Sequence, residues 1–528
     1  MQRLKLAVVL LFSLSCAAVS GGARAADDTD ATRAAIERLV DALVAEGVVP
    51  AEKRAEIVRR AIEKTAAEPA VPGEIRVQEV PEIVKDEIRE QVRQELKEDV
   101  VKDIIREART RRWGVPGAWP EWVDRLKFSG DVRVRGQSDN YASGNGVDFF
   151  DYQRINQARS FAIDPLFLNS TEDRDRLRVR MRLALDAQIS PGASAGIRIA
   201  SGSLLDPVST NQTLGNTGRP YQVILDRAFL RYQTSAQAVA VTAGRMPNPF
   251  FGTDLVWDPD LNFDGVAIRI VPRHFGDEGV VAYAFEPFAT LGAFPLQEVE
   301  LSARDKWLYG GQLGFGWKAA GGSRLRFGAA YYAYDGITGE RNSVDSRLLD
   351  FTAPQFVQKG NSLFEISNES DPASTSILFG LASGYDEANV TLAWELAVQP
   401  DLFVITTADY VKNVGFDQDE ILARTGDTIP EETEGYGFGL AVGRQKVVER
   451  GDWQVFGELR HLEADAVLDA FTDSDFHLGG TNAEGWIAGF SYALRDRLLL
   501  TTRYLSSNEI TGDPFGIDTL QIDLVGSF

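Results

Sequence analysis

Cysteine is nearly absent from this 528-residue chain, which has Cys16 and no other. A single thiol excludes an internal disulfide framework and any cysteine metal cluster. Histidine is almost as scarce, at His274, His461 and His477, and no arrangement suited to a serine or metal hydrolase is visible. The chain is therefore read as a non-enzyme with no cofactor and no metal. No run of about 18 apolar residues occurs after the N-terminal leader, so no transmembrane helix is predicted. Excess positive charge is missing too: 55 Lys and Arg against 77 Asp and Glu leave −22, the wrong sign for non-specific nucleic-acid binding.

What is present begins with that leader. Arg3 and Lys5 precede the apolar run Leu6 to Leu14, and Ala23-Arg24-Ala25 offers a small-x-small cleavage site before Ala26-Asp27-Asp28. Residues 1–25 are predicted to be a secretory signal peptide that also carries Cys16 away. Its removal takes Arg3, Lys5 and Arg24, so the formal charge moves from −22 to −25. Export without a helical anchor leaves the bacterial periplasm, the outer membrane or the exterior.

Residues 27–68 predict a helical hairpin. Ile36, Leu39, Val40, Leu43 and Val44 recur at helical spacing, and Gly47 with Pro50 separates them from Ile57, Val58, Ala61 and Ile62. Residues 69–118 predict a proline-bearing linker and a charged helix from about Pro81 to Arg112. Its apolar positions Val84, Ile88, Val92, Leu96, Val100 and Ile104 recur every four residues, so the stripe winds by about 40° per step. That disfavours a regular coiled coil and leaves a solvated helix and an oligomerising stalk both open.

From Leu126 onward the period becomes two. Leu126, Phe128, Val132 and Val134 alternate with Lys127, Ser129, Asp131, Arg133 and Arg135, and Leu177, Val179, Met181, Leu183 and Leu185 alternate with Arg176, Arg178, Arg180 and Arg182. A soluble sandwich would need a second sheet over each apolar face. The segment WLYGGQLGFGW argues for a membrane barrel instead. Trp307, Tyr309, Leu313, Phe315 and Trp317 share a face with aromatics at both ends. Ten residues at about 3.3 Å, tilted near 40°, rise about 25 Å, the height of a lipid-facing band between aromatic girdles. Tyr436, Trp486 and Tyr492 occupy comparable positions. An all-β transmembrane antiparallel barrel is predicted over 119–528, preceded by a periplasmic α-helical region.

About 16 strands are predicted, near 125–136, 174–189, 193–201, 221–233, 238–246, 262–271, 279–286, 306–318, 323–335, 386–398, 401–412, 435–446, 451–463, 484–494, 497–506 and 518–528. Short turns then alternate with long loops, as periplasmic and outer connections do. The apolar stretch 376–385 keeps 18 strands as the alternative. Leu520, Ile522, Leu524 and Gly526 alternate with Gln521 and Asp523 up to the final Phe528, which predicts a closing strand paired with 125–136 so that no edge is left open in lipid.

Three segments, RWGVPGAWPEWVDRLKFSGDVRVRG (Arg112 to Gly136), GRMPNPF (Gly244 to Phe250) and LVWDPDLNFDGVAI (Leu255 to Ile268), together with the helical lead from Leu39 to Val58, resemble the putative porin family of bacterial outer-membrane proteins. The resemblance covers nearly the whole mature chain and carries little chemistry. It implies a barrel in outer-membrane lipid, passive diffusion of small hydrophilic solutes and, by similarity to general porins, a homotrimer as a candidate assembly. A C-terminal aromatic such as Phe528 resembles the signal read by the barrel-assembly machinery.

Two groups of residues are candidates for function. Arg133, Arg135, Arg176, Arg178, Arg180, Arg182, Arg198, Arg227, Arg231 and Arg269 fall on the predicted inward face. They read either as a basic ladder that draws anions or as ordinary lumen residues paired with carboxylates. The loop MPNPFFGTDLVWDPDLN carries Asp254, Asp258 and Asp260. By similarity to the constriction loop of general porins it would face the arginines across an eyelet; the alternative is an outer loop packed on its own aromatics. The expected function is an outer-membrane diffusion channel for small hydrophilic solutes, with anionic solutes as a candidate class. The alternative is a structural barrel whose periplasmic helices tether it to peptidoglycan or a partner.

Overall fold

A computed structural model describes residues 122–235, 237–272, 283–300, 302–319, 321–370 and 376–528, with residues 37, 38, 41, 54–56, 58 and 59 of the N-terminal region. The predicted signal peptide, the linker and charged helix at 69–118, and His274 lie outside the described residues. Those described within 27–68 are helical, and Arg54 donates from Nη2 to Oδ2 of Asp41 at 3.0 Å. The chain divides into two compact units, 1–107 and 108–528, and the second holds the strands.

Those strands are β1 (Leu126–Tyr141), β2 (Arg174–Ser190), β3 (Ala193–Ser201), β4 (Gln212–Thr213), β5 (Val223–Gln233), β6 (Val239–Pro247), β7 (Asn262–Ile270), β8 (Tyr283–Gln297), β9 (Lys306–Ala319), β10 (Arg324–Asp335), β11 (Leu363–Glu365), β12 (Phe379–Leu381), β13 (Asp386–Gln399), β14 (Leu402–Asn413), β15 (Glu434–Gly443), β16 (Trp453–Leu462), β17 (Ala483–Arg495), β18 (Leu498–Glu509) and β19 (Gly516–Ser527). Among the described residues, 16 form a closed antiparallel barrel; β4 is a short piece of loop laid on β2, and β11 pairs only with β12. Closure is made by β19, which pairs with β18 on one side and with β1 on the other, from Asp131 opposite Ser527 to Tyr141 opposite Ile517. Beyond that ladder Gly130 and Phe528 exchange two more backbone hydrogen bonds, at 3.1 and 3.0 Å. Every barrel strand therefore has two neighbours, as hydrocarbon requires of backbone polar groups.

Two sequence expectations need correction. The strand expected at 279–286, whose residues 279–282 lie outside the described residues, is described as β8, Tyr283–Gln297, and so runs well past 286. The longer strand includes Pro287 and Pro295, although proline cannot donate to a ladder. Here both lie outside the short stretch paired with β7, which runs from Ala289 to Ala293, and the β9 ladder is bulged between Pro295 and Gln297. The stretch 376–385 adds no pair of spanning strands. Its β12 joins β11 in a hairpin of the outer loop, and Phe364, Ile366 and Ala382 pack there as a small core.

Side chains divide by face as the period of two demands. Phe128, Val132, Val134, Leu177, Leu183, Ile197, Leu230 and Leu313 are exposed on the outside, as are Tyr309, Tyr436, Trp486 and Tyr492 of the expected aromatic girdles. Trp307, Phe315 and Trp317 share the outward face of β9 and are half-buried. An outward face of this kind fits hydrocarbon with aromatic margins.

Candidate functional site

The interior is asymmetric. On the side of β6 to β10, many inward positions are apolar or small: Met246, Phe263, Ala267, Phe294, Leu308, Ala330 and Tyr332 are all buried, while Lys306 and Gln312 are buried among them and Arg326 lies over the Phe251 ring at 3.9 Å. The loop 248–261 fills this side. Its Phe250 ring rests on Gly310, where an added Cβ would lie 2.3 Å from the ring, and Phe251 rests on Gly328, where the distance would be 3.1 Å. Glycine leaves room for those rings. Phe251 also donates its N–H to Oε1 of Gln312 at 2.8 Å and accepts from Nε2 of Gln312 at 2.6 Å. Trp257 then meets Tyr332 edge to face, with ring centroids 5.0 Å apart.

From that wall the loop crosses the lumen. Thr253 donates its hydroxyl to Asp409 on β14 at 2.7 Å, and Asp260 reaches Arg182 on β2 at 3.0 Å and Arg180 at 3.9 Å. β2 and β14 lie on opposite sides of the barrel. Asp260 is therefore in direct contact with two of the expected ladder arginines, and no gap separates them. Burial raises its pKa, but Arg180 and Arg182 outweigh that and hold it below the usual carboxylate range. Asp258 does not face the arginines. It accepts from the backbone of Ser474 at 2.9 Å and of Asp260 at 2.7 Å, and burial with Asp473 close by pushes it well above the usual range. Asp254 is exposed and lies by Arg460 and Asp473.

The opposite wall, β1 to β3 with β18 and β19, is charged. Eight guanidinium groups, of Arg133, Arg135, Arg176, Arg178, Arg180, Arg182, Arg198 and Arg503, share six carboxylates, of Asp131, Asp139, Asp226, Asp260, Asp475 and Asp523. Arg135, fully buried, joins Asp523 at 2.6 Å and Asp475 at 2.7 Å. Nε of Arg133, Arg176 and Arg178 finds no acceptor among the described residues. Arg227 donates to Asn262 at 2.6 Å, Arg269 lies over the Phe288 ring at 5.3 Å, and Arg231 is exposed with no partner among the described residues. The ladder is thus mostly paired, with cations in excess.

The sequence pattern put Asp131 on the face of the arginines and offered Asp260 opposite them, and both are partners; Asp139, Asp226, Asp475 and Asp523 were not named as partners. Asp523 was within reach, because pairing the closing strand with β1 puts it directly opposite Arg135. Asp473 and Asp475 had no such signal. They belong to the loop 463–482, which folds inward without periodicity and binds Arg460 at 2.8 Å and Arg135, Arg178 and Arg503. The loop 336–385 locks onto it: the backbone N–H of Gln358 donates to Asp469 at 3.0 Å, and Ser362 and Tyr385 donate their hydroxyls to Asp465 at 2.6 Å each. These loops leave a cavity of about 470 Å³ against the arginine wall, lined by Arg174, Arg176 and Arg178.

The family described as "Putative porin" matches residues 32–528. Among solved structures the chain is similar to OprB of Pseudomonas putida, at 11% identity over 79% of this chain and 97% of that one, with a TM-score of 0.42. It is also similar to an anion-selective porin from Comamonas acidovorans, at 11% over 76% and 99% with a TM-score of 0.40. A third is the outer-membrane channel DcaP of Acinetobacter baumannii, at 11% over 76% and 97% with a TM-score of 0.39. Among curated proteins nothing matches.

Proposed function

The chain belongs to the putative porin family, and from that premise we propose that it passes small hydrophilic solutes by passive diffusion along the arginine wall, favouring anions. An outer-membrane porin channel is what the family and the closed barrel support; the solute class is the step added here. The observation that carries it is the asymmetric lumen. Loops and apolar side chains fill the side of β6 to β10, while the described cavity runs along a wall where arginines outnumber the carboxylates they touch. Fixed charge of one sign in a confined aqueous passage raises the local concentration of the opposite ion. Planar-bilayer recording tests both parts. Discrete conductance steps with a reversal potential toward anion preference are expected, and cation preference would sink the anionic reading.

A second reading is favoured by the interlocked loops: a barrel with a narrow or closed passage, held by its N-terminal helices to peptidoglycan or a partner. Correctly folded protein that gives no steps would turn the balance toward it. The proposal further includes periplasmic placement of residues 27–118, a homotrimer, and recognition of Phe528 by the barrel-assembly machinery. Phe528 is 58% exposed at the barrel rim, where a receptor could reach it. Oligomer size after deletion of residues 27–112 tests the stalk.

A further inference from the structure

We propose that the cavity against the arginine wall is a binding site for small aromatic carboxylates. This deepens the channel reading and rests on it only for access of solutes to the lumen. The volume of about 470 Å³ lies in the range of small-molecule pockets. The walls are of two kinds. β2 supplies Arg174, Arg176 and Arg178, the end of β1 supplies Tyr141, and the loops above supply aromatic surface from Phe149, Tyr152, Tyr221, Phe356 and Phe515. Phe149 and Phe515 already lie ring to ring, with centroids 4.3 Å apart.

The acids that line the cavity are engaged elsewhere. Asp475 is taken by Arg135 at 2.7 Å and Arg503 at 3.0 Å, and Asp151 accepts from the backbone of Arg154 at 3.1 Å. Asp206 accepts from the backbone of Val208 at 3.1 Å, and burial pushes its carboxyl up to about 6. The Arg174 side chain, by contrast, is exposed and has no ion pair or hydrogen bond among the described residues. A guanidinium offers two parallel N–H groups to a carboxylate, and a flat ring gains from offset or edge contact with aromatic walls. Phosphate or sulfate would use the first feature and waste the second. An aromatic carboxylate uses both.

Equilibrium dialysis of the full-length protein in detergent against labelled benzoate tests this, with planar-bilayer conductance measured on the same preparation. Saturable benzoate binding is expected, at least tenfold tighter than acetate, inorganic phosphate or neutral benzamide. Arg174→Gln, at an exposed strand start, should weaken benzoate binding roughly tenfold, the usual worth of a charge-assisted contact. Phe149→Ala should weaken benzoate and leave acetate unchanged. Conducting protein that binds benzoate no better than acetate, or a folded Arg174→Gln protein that binds like the parent, would overturn the site and leave the channel standing. Saturable, Arg174-dependent binding in protein that never conducts would keep the site and overturn the channel.

Discussion

The two halves of the barrel interior meet the same membrane and solve different problems. Outside, β9 and β2 look alike, with Tyr309 and Leu313 on one and Leu177 and Leu183 on the other exposed to lipid. Inside, β9 presents Leu308, Gly310 and Gln312 to a packed loop, while β2 presents Arg176, Arg178, Arg180 and Arg182 to carboxylates and a cavity. The outward face is fixed by hydrocarbon and is uniform. The inward face is free to vary, so function is written in the residues that alternate with the lipid-facing ones.

The largest test of the charged half is Arg135→Gln. It leaves Asp523 and Asp475 buried with one cation fewer, and removing one partner of a buried pair costs about 3–5 kcal/mol. The unfolding transition, read as loss of heat-modifiable migration, should drop sharply. The matching test of the apolar half is Trp257→Ala, which empties the contact with Tyr332 and Phe263. A loss of about 3 kcal/mol is expected, the low end for such truncations, because lumen water can fill the space. If Trp257→Ala alters conductance and leaves stability unchanged, the loop 248–261 is a gate resting on the wall and the two-halves description fails.

These halves were unequally legible in the sequence. On β1 and β2 apolar and charged residues alternate strictly, so strand, face and inward arginines could all be read. On β8 both faces are apolar, with Leu291 outward and Phe288 and Phe294 buried, and two prolines interrupt it. Periodicity is lost there because the inner face is a protein core. Loops were the least legible. Asp475 sits 340 residues from Arg135, and nothing local in the sequence announces that the loop carrying it turns inward. The hairpin β11–β12 was visible as β-forming sequence, but its apolar residues served a loop core and not a membrane face.

A pH series sharpens the comparison further. Burial pushes Asp469 well above the usual carboxylate range, and burial with nearby Asp473 does the same for Asp258. Each keeps its proton in the fold at pH values where the unfolded chain has lost it, so the fold holds more protons and stability falls as pH rises from about 4 toward the folded pKa. The slope is at most about 1.4 kcal/mol per unit for each group. Asp475 behaves oppositely. Burial opposes its charge, but Arg135, Arg503 and Arg178 hold it well below the usual range, so its contribution is present above about 4 and is lost as pH falls through its folded pKa. Loop protection in hydrogen exchange should therefore peak in mild acid. Asp469→Asn should flatten the alkaline limb, and a limb unchanged by it would locate the titration elsewhere.

The smallest effect separates paired from free charge within the charged half. Arg180 and Arg182 touch Asp131 and Asp260, so much of their field is already cancelled. Arg231 is exposed and has no such partner among the described residues. A unit charge about 4 Å from a passing ion in water is worth about 1 kcal/mol, or about fivefold in local concentration. Arg231→Gln should lower the anion-to-cation permeability ratio by up to about fivefold, read from the reversal potential in a salt gradient, while the unfolding transition stays in place. Arg180→Gln should do the reverse, shifting stability more than selectivity, because it frees a carboxylate oxygen of Asp131 and loosens the approach of Asp260. If Arg180→Gln shifts the reversal potential more than Arg231→Gln, ions pass at the loop contact itself, and the paired arginines there are part of the conducting path.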